Sequence, residues 1–193
     1  NSDEWKVMGA TAYGDYKIFY DRLRSIVKWD SQNLNLSLEL NYFNHYNMKT
    51  DTYISDQFVD MIGMSKRIKG EPLQQIHFDF AASAQRVFEE TTFSILNSLH
   101  ERTGSDNVAL SGGCFMNSLC NGKILKNSKF KKMFIPYATG DNGSAMGAAL
   151  WVAHTQMGTP INRTNYQPPT PLLGPSYSEE EIESILKKYK IKY

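Results

Sequence analysis

Two short segments place glycines where chemistry could be done. Ser111-Gly112-Gly113 follows Asn107-Val108-Ala109-Leu110, a short apolar run that reads as a buried strand. Thr139-Gly140-Asp141-Asn142-Gly143 follows a second such run, Lys132-Met133-Phe134-Ile135-Pro136. Each loop leads into a helical stretch, about Met116 to Lys126 and Ser144 to Gln156. Glycine lets a backbone approach a ligand closely and permits positive φ. The following helix start offers N–H groups and partial positive charge, which suit phosphate. Ligands of open α/β sheets collect at such strand ends. On these residues alone, Ser111-Gly112-Gly113 is either a structural turn or a nucleotide contact. Asp141 either caps a helix or, as a carboxylate at a strand end, binds a divalent metal or steers a substrate hydroxyl.

The elements that must hold these loops are partly visible. The strongest helix spans about Phe78 to Arg102, where Ala81, Ala84, Val87, Phe88, Thr91, Ile95, Leu96 and Leu99 form a stripe of period 3.6. Gly104 stops it, and His77 stands where it can support the N-terminus. Upstream, Lys6 to Gly14 reads as a tight glycine-bracketed loop. Asp15 caps a helix over Tyr16 to Trp29, and Leu36 to Leu40 alternates as a strand. Ser55-Asp56 caps a short helix ending near Gly63. Beyond Gly158 the chain turns proline-rich (Pro160, Pro168, Pro169, Pro171, Pro175), as a linker does. A capping box at Ser178 to Glu181 then opens a final helix, whose end Lys187, Lys188 and Lys190 favour. The division expected is therefore residues 1–158 and 159–193.

Composition excludes several functions. The 193 residues carry a net charge of +1, so there is no electrostatic footprint for nucleic acid or an anionic membrane surface. No apolar run has the length to span a bilayer, and the first residues lack the pattern of a secretion signal. A cytoplasmic setting is the expectation. The chain also lacks an initiator Met, which fits a piece of a longer protein. Cys114 and Cys120 match no zinc or redox spacing and read as two half-buried thiols. His45, His77, His100 and His154 form no metal-ligand pair. Lys123, Lys126, Lys129, Lys131 and Lys132 read as a solvated edge.

The two loops and their surroundings resemble the carbamoyltransferase family, which includes nodulation-factor and antibiotic O-carbamoyltransferases. Leu110 to Ser118 and Asn121-Gly122-Lys123 resemble its Ser-Gly-Gly-x-x-x-Asn segment, and Tyr137 to Ala149 its Gly-Asp-x-Gly segment. Lys6-Val7-Met8-Gly9 with Tyr13-Gly14, Gly70 to Leu73, and Phe80 to Gln85 match further segments in family order. Leu173 to Ser178 resembles the opening of the family's YrdC-like domain. The resemblance implies an α/β fold of the actin-like, ribonuclease-H type, a mixed sheet flanked by helices, here as a partial domain. Residues 1–158 would be its C-terminal half and residues 159–193 a linker with the start of the YrdC-like domain.

It also implies chemistry. The YrdC-like domain makes carbamoyl adenylate from ATP and carbamoyl phosphate. The actin-like domain then moves the carbamoyl group to a hydroxyl of a small-molecule acceptor. Ser111, Gly112, Gly113, Asn117, Gly140 and Gly143 would contact the nucleotide, with Asn117 near ribose or adenine. Asp141 takes the place of the family's metal-binding aspartate, the metal being divalent and expected to be Fe(II). This chain has no His-x-x-x-His pair for that metal, and the family carries the pair in a half absent here. The isolated chain is therefore expected to be inactive. Gly9-Ala10-Thr11 departs from the family's Gly-Leu-Ala, and Cys114-Phe115-Met116 is bulkier than the family's residues and narrows the expected pocket. The rival readings are a tRNA threonylcarbamoyl-transfer protein and a non-catalytic nucleotide-binding module of the same fold.

Overall fold

The computed structural model describes residues 3–45, 52–68, 70–161, 171–172 and 174–192. Pro168, Pro169 and Leu173, part of the expected linker and domain opening, lie outside them. The chain divides into two units, residues 1–144 and 145–193.

The first unit is organised on one helix. α4, Gln75–Thr103, starts with Gln74 N–H donating to His77 Nδ1 (2.9 Å) and ends at Gly104 in a left-handed conformation (φ 64°). Its Val87 joins Phe19, Leu23, Ile26, Phe58 and Ile62 in one apolar cluster. Nine residues on, its Leu96 joins Val108, Leu110, Cys120, Ile124 and Phe130 in a second. The periodic stripe is thus divided between two cores, and Leu99 at its end is exposed.

Before α4 come α1 (Glu4–Ala10), α2 (Tyr20–Ile26), the antiparallel hairpin β1 (Val27–Asp30) and β2 (Asn35–Leu38), and α3 (Asp56–Ile62). Two expectations change here. Lys6 to Ala10 is helical rather than a loop, because Gly9 sits inside a turn that tolerates it; the 3₁₀ turn Thr11–Tyr13 follows. The glycine that matters is Gly14, where a Cβ would lie 2.0 Å from the Phe78 carbonyl oxygen. The helix expected to reach Trp29 stops at Ile26. From Val27 the residues alternate, with Val27 and Trp29 half-buried between exposed Lys28 and Asp30, and pair with β2. That alternation was hidden by the helical spacing of Leu23, Ile26 and Val27. The Asp30 carboxylate accepts from Gln32 N and Asn33 N, which shapes the hairpin turn. Ser55 Oγ caps α3 through Phe58 N, and Gly63 ends it at φ 73°.

After α4 come β3 (Asn107–Ala109), α5 (Ser118–Asn121), α6 (Ile124–Asn127) and β4 (Lys132–Phe134). β3 and β4 are parallel. The continuous helix expected over Met116 to Lys126 is a 3₁₀ turn, Gly113–Met116, and two single-turn helices. The polar run Asn117, Ser118, Asn121 and Gly122 favours caps over helix interior. The molecule is mixed α/β, and among the described residues its strands form two separate two-stranded sheets rather than one mixed sheet.

The second unit holds α7 (Ser144–Trp151, starting at the boundary), which continues as a π-helical turn over Val152–Gln156, and α8 (Glu179–Lys188). The Ser178 capping box forms as expected: Glu181 N donates to Ser178 Oγ and Ser178 N to Glu181 Oε2. Among the described residues no helix is long and apolar enough to cross a membrane.

Candidate functional site

The parallel pairing of β3 with β4 brings the two glycine loops together. Leu110 N donates to Phe134 O just past the paired residues. Beyond it, Gly112 N (2.7 Å) and Ser111 Oγ (3.3 Å) both donate to the carbonyl of buried Thr139. Gly140 follows at once, and a Cβ there would sit 3.6 Å from Met116 Sδ. Ser111, Gly112, Gly113, Asn117 and Gly140 therefore line adjoining turns at the C-terminal ends of two parallel strands.

The glycines of these turns are required for different reasons. Gly112 adopts φ 107°, a region L side chains rarely enter. Gly113 has no such constraint, and a Cβ there would project into open space. Gly143 closes the 3₁₀ turn Asp141–Gly143, where a Cβ would meet the Ala138 carbonyl oxygen at 2.0 Å. That requirement comes from the turn's own backbone.

An apolar cleft of about 880 Å³ opens beside the first loop, lined by Glu4, Trp5, Met8, Phe88, Gly113, Cys114, Met116 and Asn117. Its side chains suit a flat heteroaromatic ring better than a polyphosphate, since none of them is cationic. Of these, Met116 was expected to narrow the pocket, Met8 and Phe88 were read only as parts of a family segment and of the helical stripe, and Trp5 was not singled out. Their signal is weak, because a Trp and a Met four residues or fewer apart look like ordinary helix residues.

Asn117 is fully engaged on one side. Its Oδ1 accepts from Cys120 N (3.0 Å), capping α5, and from Gln85 Nε2 (3.0 Å). Behind it, Glu89 of α4 is 2% exposed and holds both oxygens 2.7 Å from Lys123 Nζ. Lys123, half-exposed, thus differs from the rest of the lysine edge in having a buried partner, whereas Lys129 and Lys131 of that edge pair with Glu101 and Asp106 at the surface. Gln85 and Glu89 were also missed. A Gln and a Glu four apart beside the apolar stripe were the available signal.

Asp141 is exposed at the start of its 3₁₀ turn. Among the described residues no three His, Cys, Asp or Glu side chains converge as a metal site. A lone carboxylate does not make one, so these residues by themselves do not fit the expected iron. The cysteines differ from the expected pair of half-buried thiols: Cys114 is exposed on the cleft wall and Cys120 is buried. Burial pushes the Cys120 thiol up to about 11, against a hydrogen bond with Thr92 that lowers it.

This arrangement sets two glycine loops on parallel strand ends beside an apolar cleft in a mixed α/β chain. The chain belongs to the carbamoyltransferase family: residues 1–150 match the model of the carbamoyltransferase N-terminus. It is similar to an uncharacterised protein of Synechocystis, at 36% identity over 97% of this chain and 30% of that protein. It is also similar to nodulation protein NolO of Bradyrhizobium diazoefficiens, at 32% identity over 95% of this chain and 30% of that protein. An uncharacterised protein of Methanocaldococcus jannaschii matches at 30% identity over 100% of this chain and 29% of its own length. The chain spans about 30% of the length of these curated relatives.

Proposed function

We propose that this chain is the nucleotide-binding part of an ATP-dependent O-carbamoyltransferase, built on an actin-like frame to which β3 and β4 belong. The observation that carries the reading is the convergence of the family's two glycine segments at one pair of parallel strand ends. In this reading the cleft takes the base of carbamoyl adenylate between apolar walls, which also keep water from the anhydride. The open face at Gly113 admits the ligand to backbone contact. An acceptor hydroxyl then bonds to the carbamoyl carbon as the bond to AMP breaks, and the hydroxyl proton is released. Binding both partners in one geometry supplies much of the acceleration. Carbamoyl phosphate and ATP are the sources of the activated group. A sugar or other natural product fits as acceptor. Asp141 would supply one carboxylate to a divalent metal, Fe(II), only together with ligands from elsewhere in the full-length protein.

The test uses the full-length protein with ATP, carbamoyl phosphate and a panel of hydroxyl acceptors. Pyrophosphate release and carbamoyl transfer are measured separately, with bound iron. Wild type should do both. Asp141→Ala should lower transfer by about 100-fold or more, lose iron, and leave pyrophosphate release unchanged. Equal loss of both reactions would remove Asp141 from the transfer step. Absence of ATP-dependent carbamoyl transfer by wild type to every acceptor would sink the reading.

A further inference from the structure

The hydrogen bonds behind the cleft determine which polar atom Asn117 can offer a ligand. A side-chain amide can be turned either way unless its neighbours decide, and here two neighbours do. The Cys120 backbone N–H can only donate, so the Asn117 atom facing it (3.0 Å) must be the oxygen. Glu89 makes the same choice from the other end. Its carboxylate, buried in α4 and paired with Lys123, only accepts, so the Gln85 atom facing it (2.9 Å) must be nitrogen. Gln85 Nε2 spends its second hydrogen on Asn117 Oδ1 (3.0 Å), and Gln85 Oε1 accepts from Asn117 Nδ2 (2.8 Å). The two amides form a closed reciprocal pair with one polarity. A single polar hydrogen is left over, the second on Asn117 Nδ2, with no partner among the described residues. Asn117 lines the cleft.

We infer that Lys123, Glu89 and Gln85 act as a positioning relay that makes Asn117 a hydrogen-bond donor to the ligand, and that the group it meets is a ring-nitrogen acceptor of a purine. The inference rests on the nucleotide reading of the cleft and deepens it. The apolar walls select a flat ring, and among the polar groups of the lining, which include the Glu4 carboxylate and the Trp5 indole N–H, the Asn117 amide is the one held in a fixed orientation by Cys120 N–H and Gln85. A ring nitrogen satisfies it, whereas an exocyclic amine would meet it donor against donor. A buried carboxylate is costly to maintain. The relay gives that cost a purpose, because Glu89 holds the Gln85 amide from the far side in the same orientation that Cys120 N–H sets through Asn117.

The experiment measures binding of ATP and its 1-deaza, 3-deaza and 7-deaza analogues to the full-length protein by calorimetry, alongside thermal melts. In wild type one analogue should bind about tenfold more weakly than ATP. Asn117→Ser keeps an oxygen to cap α5 but removes the outward N–H; it should bind ATP and that analogue alike. Glu89→Met replaces the buried charge by an apolar chain of similar volume, and half-exposed Lys123 can turn to water. It should melt at or above the wild-type temperature yet lose most of the discrimination, which a purely structural role would not produce. If wild type binds ATP but penalises no analogue, the donor assignment is wrong and the nucleotide reading stands. If Glu89→Met keeps full discrimination, the relay does not position Asn117. If wild type binds no ATP, the nucleotide reading fails and takes this inference with it.

Discussion

The two glycine loops look equivalent in the sequence and are opposite in the structure. The first, Ser111 to Asn117, is held from behind by buried side chains and leaves Gly113 facing open space. The second, Gly140 to Gly143, is held by its own tight turn, and its Gly143 is pressed against the Ala138 carbonyl. A glycine with open space before it and a glycine pressed against the backbone carry the same letter. What separates them is where a Cβ would go.

That contrast is open to direct attack. Gly143→Ala forces a methyl to within 2.0 Å of a carbonyl oxygen, so the turn must move. It should cost about 3 kcal/mol, read as a large fall in melting temperature. A melt equal to wild type would remove the backbone explanation for Gly143. Gly113→Val is the converse. Its melting temperature should stay near wild type, while ATP affinity in the full-length protein falls about tenfold. Loss of stability with unchanged affinity would make the first loop a structural turn. A smaller effect separates the cysteines that flank the same loop. At pH 7.5 iodoacetamide should label Cys114 and spare Cys120, whose thiol stays protonated in the fold. Because the folded thiol titrates near 11 and the ordinary one near 9, the native state holds the proton longer. Stability should therefore be level below pH 9 and decline from 9 toward 11. Cys120→Ser, a control that cannot ionise there, should flatten that decline in pH-dependent melts.

How much the sequence disclosed follows from how local each signal is. α4, its stop at Gly104, the Ser55 and Ser178 caps and the short strands β3 and β4 depend on neighbours in the chain, and all were readable. The extent of α2 was misread because Val27 fits helical and strand periods equally. α1 was misread because Gly9 and Gly14 outweighed the helix formers from Glu4 to Met8 ahead of them. In the site, the loops were found through motif and strand spacing. The relay was not, since Gln85, Glu89, Asn117 and Lys123 meet across separations of up to 34 residues. No local pattern marks a buried carboxylate that will find its lysine that far along the chain. The metal reading of Asp141 belongs to the resemblance, and the described residues add one exposed carboxylate to it.

α4 has one more consequence, in time rather than space. Its 29 residues make a rod of about 44 Å, and each apolar cluster of the first unit uses a different stretch of it as a floor. Tyr13, Asp15 and Phe19 reach it from one end of the chain, and Asn117, Lys123 and Lys129 from the other. Neither cluster can close on a rod that has not yet formed, so helix formation in this segment should precede both collapses. Substitutions at solvent-facing α4 positions that raise helix propensity, such as Ser94→Ala, should then speed refolding while leaving the unfolding rate nearly unchanged.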